Sequence, residues 1–286
     1  MIAPNWIRNS ILRRKNAEPL RNELHSRKLH TICEEAKCPN IGDCFARGTA
    51  TFLIMGDTCT RNCRFCAVKN GIPKPLDWKE PERIAEEVRN LGLKHTVITS
   101  PSRDDLPDGG ASFFAMTTKE IKRINPETTV EVLIPDFKGE IDALRKVIDS
   151  GIDVLSHNVE TIPRLYPRVR PKALYSRSLN LLKEASMYFP SLPIKSGLML
   201  GLGEKKEEVL DVMEDLRRVN CNILTIGQYL RPSRKELPAE RYVPPEEFQE
   251  FKVLGEKMGF DFVASAPLVR SSYRAKEALS KFRKKR

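Results

Sequence analysis

An α/β fold, laid out as a partial barrel of six strand–helix units, is what this sequence predicts, and three observations carry the prediction. Short apolar runs take turns with longer amphipathic stretches from Thr51 to about residue 266. The runs are continuously apolar, as parallel strands covered by helices are. Proline and glycine punctuate the helix ends: Pro81 suits a first helical turn, while Gly92, Gly151 and Gly259 follow helices as C-terminal caps do. A doubly wound sheet is the competing architecture. Against it, the glycine-rich stretch from Gly197 through Gly201 to Gly203 lacks the spacing of a dinucleotide-binding loop.

Taken in order, the strands are expected at Thr51–Met55, Thr96–Thr99, Thr129–Ile134, Asp153–Ser156, Ile194–Leu200 and Ile223–Gly227, with a weaker seventh at Asp261–Ala264. Between them fall helices at Pro81–Leu91, Thr117–Ile124, Glu140–Asp149, Ala173–Tyr188, Lys205–Val219 and Glu246–Met258. The fifth of these shows the pattern best, with Val209, Leu210, Val212, Met213, Leu216 and Val219 along one face and its charges largely opposite. Residues 1–50 read as irregular, apart from a short helix around Ile7–Arg14.

The chain has 286 residues, enough for a sizeable core, and no apolar run approaches the ~20 residues of a membrane span. Its start lacks a secretory signal, so a cytoplasmic location is expected. The net charge of +11 is segregated. Residues 1–30 hold seven Lys/Arg against two Glu, and residues 270–286 hold eight against one, which leaves the middle near neutral. Nothing resembles a nucleic-acid recognition element. The tail KFRKKR suits solvent or an acidic protein face.

Six of the seven cysteines lie within 34 residues, in two groups of three: Cys33, Cys38 and Cys44, then Cys59, Cys63 and Cys66. Such crowding argues against a disulfide scaffold and for reduced thiolates holding metal. Three thiolates suit a four-iron, four-sulfur cluster with one iron left for another ligand. Structural zinc is the bland alternative, though neither spacing divides into close cysteine pairs. Cys221 reads as a small buried hydrophobe. Because the second triplet follows the first strand, it falls on the C-terminal edge, where α/β barrels form active sites.

The stretch TFLIMGDTCTRNCRFC resembles the signature of the radical S-adenosylmethionine superfamily, including aromatic Phe65 before the last cysteine. More narrowly, the chain resembles the lipoyl synthase family over residues 30–275. The carriers are CEEAKCPNIGDC, CTRNCRFC, RDDLPDGG, VLIPDFKGE, SHNVET, GLMLGLGE, QYLRPS and VRSSY. Departures are minor: Ser100-Pro101-Ser102 precedes RDDLPDGG where small or apolar residues are commoner, and Ala266 replaces a usual glycine.

That resemblance implies a fold with three parts: an extension over residues 1–50 that holds an auxiliary cluster, a radical-type barrel over 51–266, and a terminal segment over 267–286 bearing a serine ligand. Cys59, Cys63 and Cys66 would hold the cluster that binds S-adenosylmethionine. Cys33, Cys38 and Cys44 would hold the second, with Ser272 as its fourth ligand and Ser271 as the other choice. The implied reaction inserts two sulfurs, at C6 and C8 of a protein-bound octanoyl-lysine. It consumes two S-adenosylmethionine molecules, and the auxiliary cluster is sacrificed as the sulfur source. Expected partners are an octanoylated lipoyl domain or glycine-cleavage carrier protein, reduced ferredoxin or flavodoxin, and an iron–sulfur cluster carrier. Other two-cluster radical enzymes (biotin-synthase-like or tRNA methylthiotransferase) and an electron carrier are the alternatives.

Further cofactor contacts are expected where polar residues meet strand ends. Asn158 and Glu160 follow the fourth strand, Glu204 the fifth with its glycine loop, and Gln228, Tyr229 and Arg231 the sixth. Asp108, Gly109 and Gly110 follow the second strand and are expected at the methionyl part of the cofactor. Arg270 is expected to position the terminal loop or offset cluster charge. His157 should point away from Asn158 by alternation, as an ordinary core residue.

Overall fold

The computed structural model describes Pro4, Ile7, residues 17–47 and residues 50–285. The expected helix at Ile7–Arg14 lies outside these, except for Ile7 itself. Two compact units emerge: one comprises the chain up to Arg61 together with Ala67–Asp153, the other Asn62–Cys66 and the chain from Val154 onward.

In the first unit, α1 (Glu18–Ser26) leads into β1 (His30–Thr31), α2 (Ile32–Glu35) and α3 (Ile41–Ala46). So residues 17–47 are not irregular. They hold three short helices and a strand that pairs antiparallel with β2 (Thr51–Leu53), His30 opposite Leu53. Elements of four to six residues carry too little periodicity to be read from sequence. β2 then pairs parallel with β5 (His95–Thr99), and β5 with β6 (Thr129–Leu133). A separate parallel pair joins β3 (Thr58–Cys59) to β4 (Lys69–Asn70). Helices α4 (Glu80–Asn90), α5 (Ala111–Ile124) and α6 (Ile141–Ile148) alternate with the strands and bury Ile84, Val88, Phe113, Phe114, Leu144 and Val147. α5 begins six residues before the expected Thr117, because Phe113 and Phe114 are core residues and Asp108 caps the turn before it.

The second unit is wholly parallel in its main strands: β7 (Val154–Ser156), β8 (Ile194–Leu200), β9 (Ile223–Gln228) and β10 (Phe262–Ser265). Between them run α7 (Tyr166–Val169), α8 (Tyr175–Tyr188), α9 (Lys206–Arg218) and α10 (Pro245–Lys257). The expected apolar stripe of α9 is buried through Val209, Val212, Met213 and Leu216. A last helix, α11 (Ala275–Lys285), is absent from the sequence reading, although Ala275, Ala278, Leu279 and Phe282 repeat at helical spacing. Ala278 packs with Ile223, Phe262 and Val269, while Lys281, Arg283, Lys284 and Lys285 are left outward. This α/β class with mainly parallel strands matches the expectation, and the strand bounds differ from it by one or two residues.

Candidate functional site

The first cysteine triplet belongs to the short-helix region of the first unit. Thr31 caps α2 by accepting the Glu34 N–H, which fixes Cys33 in the following turn. The Cys38 N–H donates to the Cys33 carbonyl at 2.9 Å, and Cys44 rides on α3. These thiols interact electrostatically. Burial, and then the neighbouring Cys38 and Cys44, push the Cys33 thiol up to about 12; burial and Cys38 push Cys44 to about 11. Cys33 and Cys44 become thiolates together only when cationic charge offsets both burial and the repulsion from neighbouring cysteines. A cluster of several irons fits that need. Among the described residues no three His, Cys, Asp or Glu side chains close around a single metal ion.

The second triplet starts at the end of β3. Two backbone N–H groups point at the Cys59 sulfur, from Arg61 at 3.4 Å and Ser102 at 3.3 Å. The chain approaches this turn through Met55, whose backbone is left-handed at φ +66°. Its N–H donates to Glu80 Oε2 at 2.8 Å and its carbonyl accepts from Arg103 Nη1 at 3.1 Å. Burial pushes the Glu80 carboxyl up to about 7. Gly110 completes the fit: a Cβ there would lie 2.5 Å from the Met55 sulfur, on a backbone already at φ +91°. Beyond Cys59, the Arg61 guanidinium is buried and forked onto Asp104 at 2.7 and 2.8 Å, with a third bond to buried Asp136 at 2.6 Å.

Asp108 spends its carboxylate locally. It accepts from Gly110 N–H, from Ser112 N–H and hydroxyl, and from Lys146. Gly109 and Gly110 are both left-handed turn residues before α5.

In the second unit, the loop part with Cys63 and Cys66 is closed by Cys66 N–H on the Cys63 carbonyl at 3.1 Å. Arg64 N–H donates to the Val169 carbonyl and its own carbonyl accepts from Leu237 N–H, both at 2.9 Å. Phe65 is half-buried between them in sequence. Past β7, Asn158 Nδ2 donates to Glu160 Oε1 at 3.1 Å and to the Ser271 hydroxyl at 2.5 Å. Glu160 is left-handed at φ +66° and pairs by its backbone with Gly197 and Met199. Burial holds its carboxyl above the usual range, opposed by Arg170 and Asn158. The buried Arg170 guanidinium donates to the carbonyls of Asn158 and Val159 and to the Tyr166 hydroxyl. It also interacts electrostatically with Cys63. Two atoms of this group, Asn158 Oδ1 and Arg170 Nε, are buried with no hydrogen-bond partner among the described residues. Orphaned polar atoms cost free energy unless a ligand meets them, and an amino-acid-bearing cofactor would.

Other expected contacts serve the scaffold in this structure. Glu204 accepts from Gly201 N–H and from Leu202 N–H at 2.9 Å. Gln228 is fully buried, donating to the Tyr229 and Arg241 carbonyls and accepting from Val243 N–H. Arg231 closes its own turn on the carbonyls of Glu236 and Arg234. The Tyr229 hydroxyl donates to the Leu237 carbonyl. His157 meets the Ser178 hydroxyl in the core, as alternation predicts.

The terminal segment lies tightly on β9. A Cβ at Gly227 would fall 2.1 Å from the Val269 carbonyl oxygen, so only glycine admits that approach. Arg270 donates to the Val269 carbonyl at 2.6 Å. The residues that sequence reading missed are Glu80, Arg61, Asp104, Asp136 and Arg170. Three of them stand inside quoted family stretches, but nothing in the spacing says that they meet.

Comparison with known proteins places the chain in a family. The model of the radical SAM superfamily matches residues 53–216. A lipoyl synthase of Caldanaerobacter subterraneus is 56% identical over 277 residues, covering 97% of each chain. One from Caldicellulosiruptor saccharolyticus is 54% identical over 274 residues, covering 96% of each. Among solved structures, HydG, a maturase of the FeFe-hydrogenase, superposes with a TM-score of 0.60 at 14% identity, over 98% of this chain and 70% of its own. That last likeness speaks for the fold alone.

Proposed function

The chain belongs to the lipoyl synthase family of the radical S-adenosylmethionine superfamily, and on that premise we propose that it inserts two sulfurs, at C6 and C8 of an octanoyl group amide-linked to a carrier lysine. Family membership implies a 4Fe–4S cluster and S-adenosylmethionine. The two-cluster form is our reading of the two triplets. Cys59, Cys63 and Cys66 would hold the reducing cluster, whose electron cleaves S-adenosylmethionine to a radical able to take hydrogen from unactivated carbon. Asn158, Glu160 and Arg170 would meet the polar groups of that cofactor. Cys33, Cys38, Cys44 and Ser272 would hold the auxiliary cluster, the sacrificial source of sulfur.

The observation that carries the reading is identity of more than half over nearly the whole of curated lipoyl synthases. A detail of the terminal segment supports Ser272 over Ser271 as the exchangeable ligand. The Ser271 hydroxyl is engaged by Asn158 at 2.5 Å, so withdrawing it would orphan a buried amide. Two molecules of S-adenosylmethionine are consumed per lipoyl group. The part boundaries at residues 50/51 and 266/267 follow the same assignment.

A lipoyl domain or glycine-cleavage carrier protein is the proposed substrate protein, with reduced ferredoxin or flavodoxin as electron donor and an iron–sulfur carrier for repair. Phe65, Asp108, Gly109, Gly110, Glu204, Gln228 and Arg231 complete the proposed set of cofactor-contact residues, with Asp108, Glu204, Gln228 and Arg231 acting through the turns that their side chains hold. The outward lysines and arginines of α11 offer a docking face for an acidic carrier. No described helix is long and apolar enough to cross a membrane.

The test is anaerobic reconstitution and reduction with S-adenosylmethionine and an octanoyl-lysine peptide. Mass spectrometry should show two added sulfurs and 5′-deoxyadenosine, with iron lost from the chain. Products with no added sulfur, or iron content unchanged after turnover, would refute the sacrificial role.

A further inference from the structure

Three segments far apart in sequence converge beside Cys59, and no ligand role accounts for their convergence. Arg61 reaches across 43 residues to Asp104 and across 75 to Asp136. Both the guanidinium and Asp136 are buried, at 4% and 0% side-chain exposure. Burying such charges costs several kcal/mol per ion unless the partners hold them well. The fork on Asp104 and the third bond to Asp136 provide that hold.

The arrangement also carries backbone strain. Phe137 and Lys138 are left-handed at φ +44° and +55°, in the turn that presents Asp136. Asp136 Oδ1 accepts the Lys138 N–H at 3.1 Å, and Lys138 Nζ donates to the Asp104 carbonyl at 2.9 Å. Non-glycine residues stay in that region when their surroundings impose it, which points from the outlier toward a task.

What the triad braces is visible one residue away. Thr60 N–H and hydroxyl both donate to the Ser102 carbonyl, at 3.0 and 2.9 Å, and Asp104 N–H donates to the Thr60 hydroxyl at 3.0 Å. Thr60 and Arg61 thereby lock the Cys59 turn to the 102–104 loop after β5, and this lock aims the N–H groups of Arg61 and Ser102 at the Cys59 sulfur.

We propose that Arg61, Asp104 and Asp136, with Thr60, are positioning residues that set the reduction potential of the cluster Cys59 ligates, by holding two backbone N–H donors on its sulfur. The inference rests on the reading of Cys59 as a cluster ligand. Hydrogen bonds to cluster sulfur favour the reduced, more negative form, so loosening them drives the potential down. A chain that must reduce a sulfonium gains by fixing this value rather than leaving it to a mobile loop.

The test is a redox titration of the reconstituted full chain, followed by electron paramagnetic resonance of the reduced signal that changes on adding S-adenosylmethionine. Arg61→Lys keeps the charge but lacks the planar fork. It should lower the ratio of reduced to oxidised cluster about tenfold at a fixed potential, a shift of about 59 mV for one electron. Thr60→Val keeps charge and volume and should shift the midpoint the same way, about threefold in ratio. Should Arg61→Lys fail to fold or load iron, the Thr60→Val midpoint decides. Wild-type midpoints in chains that merely melt at lower temperature would overturn the proposal, since a purely structural brace predicts that result. If the wild-type chain gives no signal responsive to S-adenosylmethionine, the assignment of Cys59 itself fails, and this inference with it.

Discussion

The two cysteine loops differ in how each prepares its sulfurs. At Cys33–Cys44 the buried Cys33 and half-buried Cys44 thiols both hold their protons more tightly than usual, through burial first and then through neighbouring cysteines. At Cys59 the surroundings have donors already in place, two backbone N–H groups braced by an ion triad. The first arrangement holds negative charge poorly without a cluster, in keeping with the proposed consumable cluster. The second suits a centre that must keep one potential through many turnovers. The serine proposed to complete the first loop's ligand set points the same way, since a hydroxyl leaves iron more readily than a thiolate.

Substitutions that separate the two jobs should have the largest effects. Cys59→Ala should abolish both cofactor cleavage and sulfur insertion, whereas Cys33→Ala and Ser272→Ala should still release 5′-deoxyadenosine while yielding no doubly thiolated peptide. Chromatography of both products from one reaction checks this, and equal loss of both in all three variants would erase the distinction.

A pH effect should mark the approach to the second loop. Glu80 accepts the Met55 N–H with its carboxyl raised from about 4.5 to about 7. The folded chain therefore binds that proton more tightly than the unfolded chain does. The stability is present below about 4.5 and is lost as pH rises through about 7. At about 1.4 kcal/mol per pKa unit, its full size is about 3 kcal/mol. Denaturant titrations from pH 5 to 8 should show that slope in the wild type and a flatter one in Glu80→Gln.

Smaller effects should follow at the terminal segment. Gly227→Ala puts a methyl against the Val269 carbonyl and should cost about 2 kcal/mol. Because it displaces the segment bearing Ser272, sulfur insertion should fall further than cofactor cleavage. Ser271→Ala removes one hydrogen bond from Asn158 and should cost about 1 kcal/mol in unfolding free energy, with sulfur insertion retained. If Ser271→Ala stopped sulfur insertion and Ser272→Ala did not, the ligand assignment would exchange.

Much of the scaffold was legible because parallel strands announce themselves as short apolar runs. β8 was expected at Ile194–Leu200 and is found there. The region from Glu18 to Ala46 was not: α2 and α3 are too short for a periodic pattern, and α1 buries only Leu20 and Leu24. α11 escaped because its charges dominate the sequence around Ala275, Ala278, Leu279 and Phe282. At the site, Asn158 and Glu160 follow a strand end, a local signal, and the structure brings their side chains together; the cysteine spacing is equally local, its ligand roles belonging to the proposed reading. The triad of Arg61, Asp104 and Asp136 is a tertiary fact, joining partners no local pattern connects. The bonds that the Asp108 carboxylate makes to the turn before α5 are likewise not legible in the sequence.

The most direct measurement is a single turnover of the anaerobically reconstituted chain in which only the protein-bound sulfide is isotopically labelled. The account predicts an octanoyl-lysine peptide carrying two labelled sulfurs, with iron lost from the Cys33–Cys38–Cys44 site and kept at Cys59–Cys63–Cys66. Unlabelled product, or iron lost from the second site instead, would contradict it.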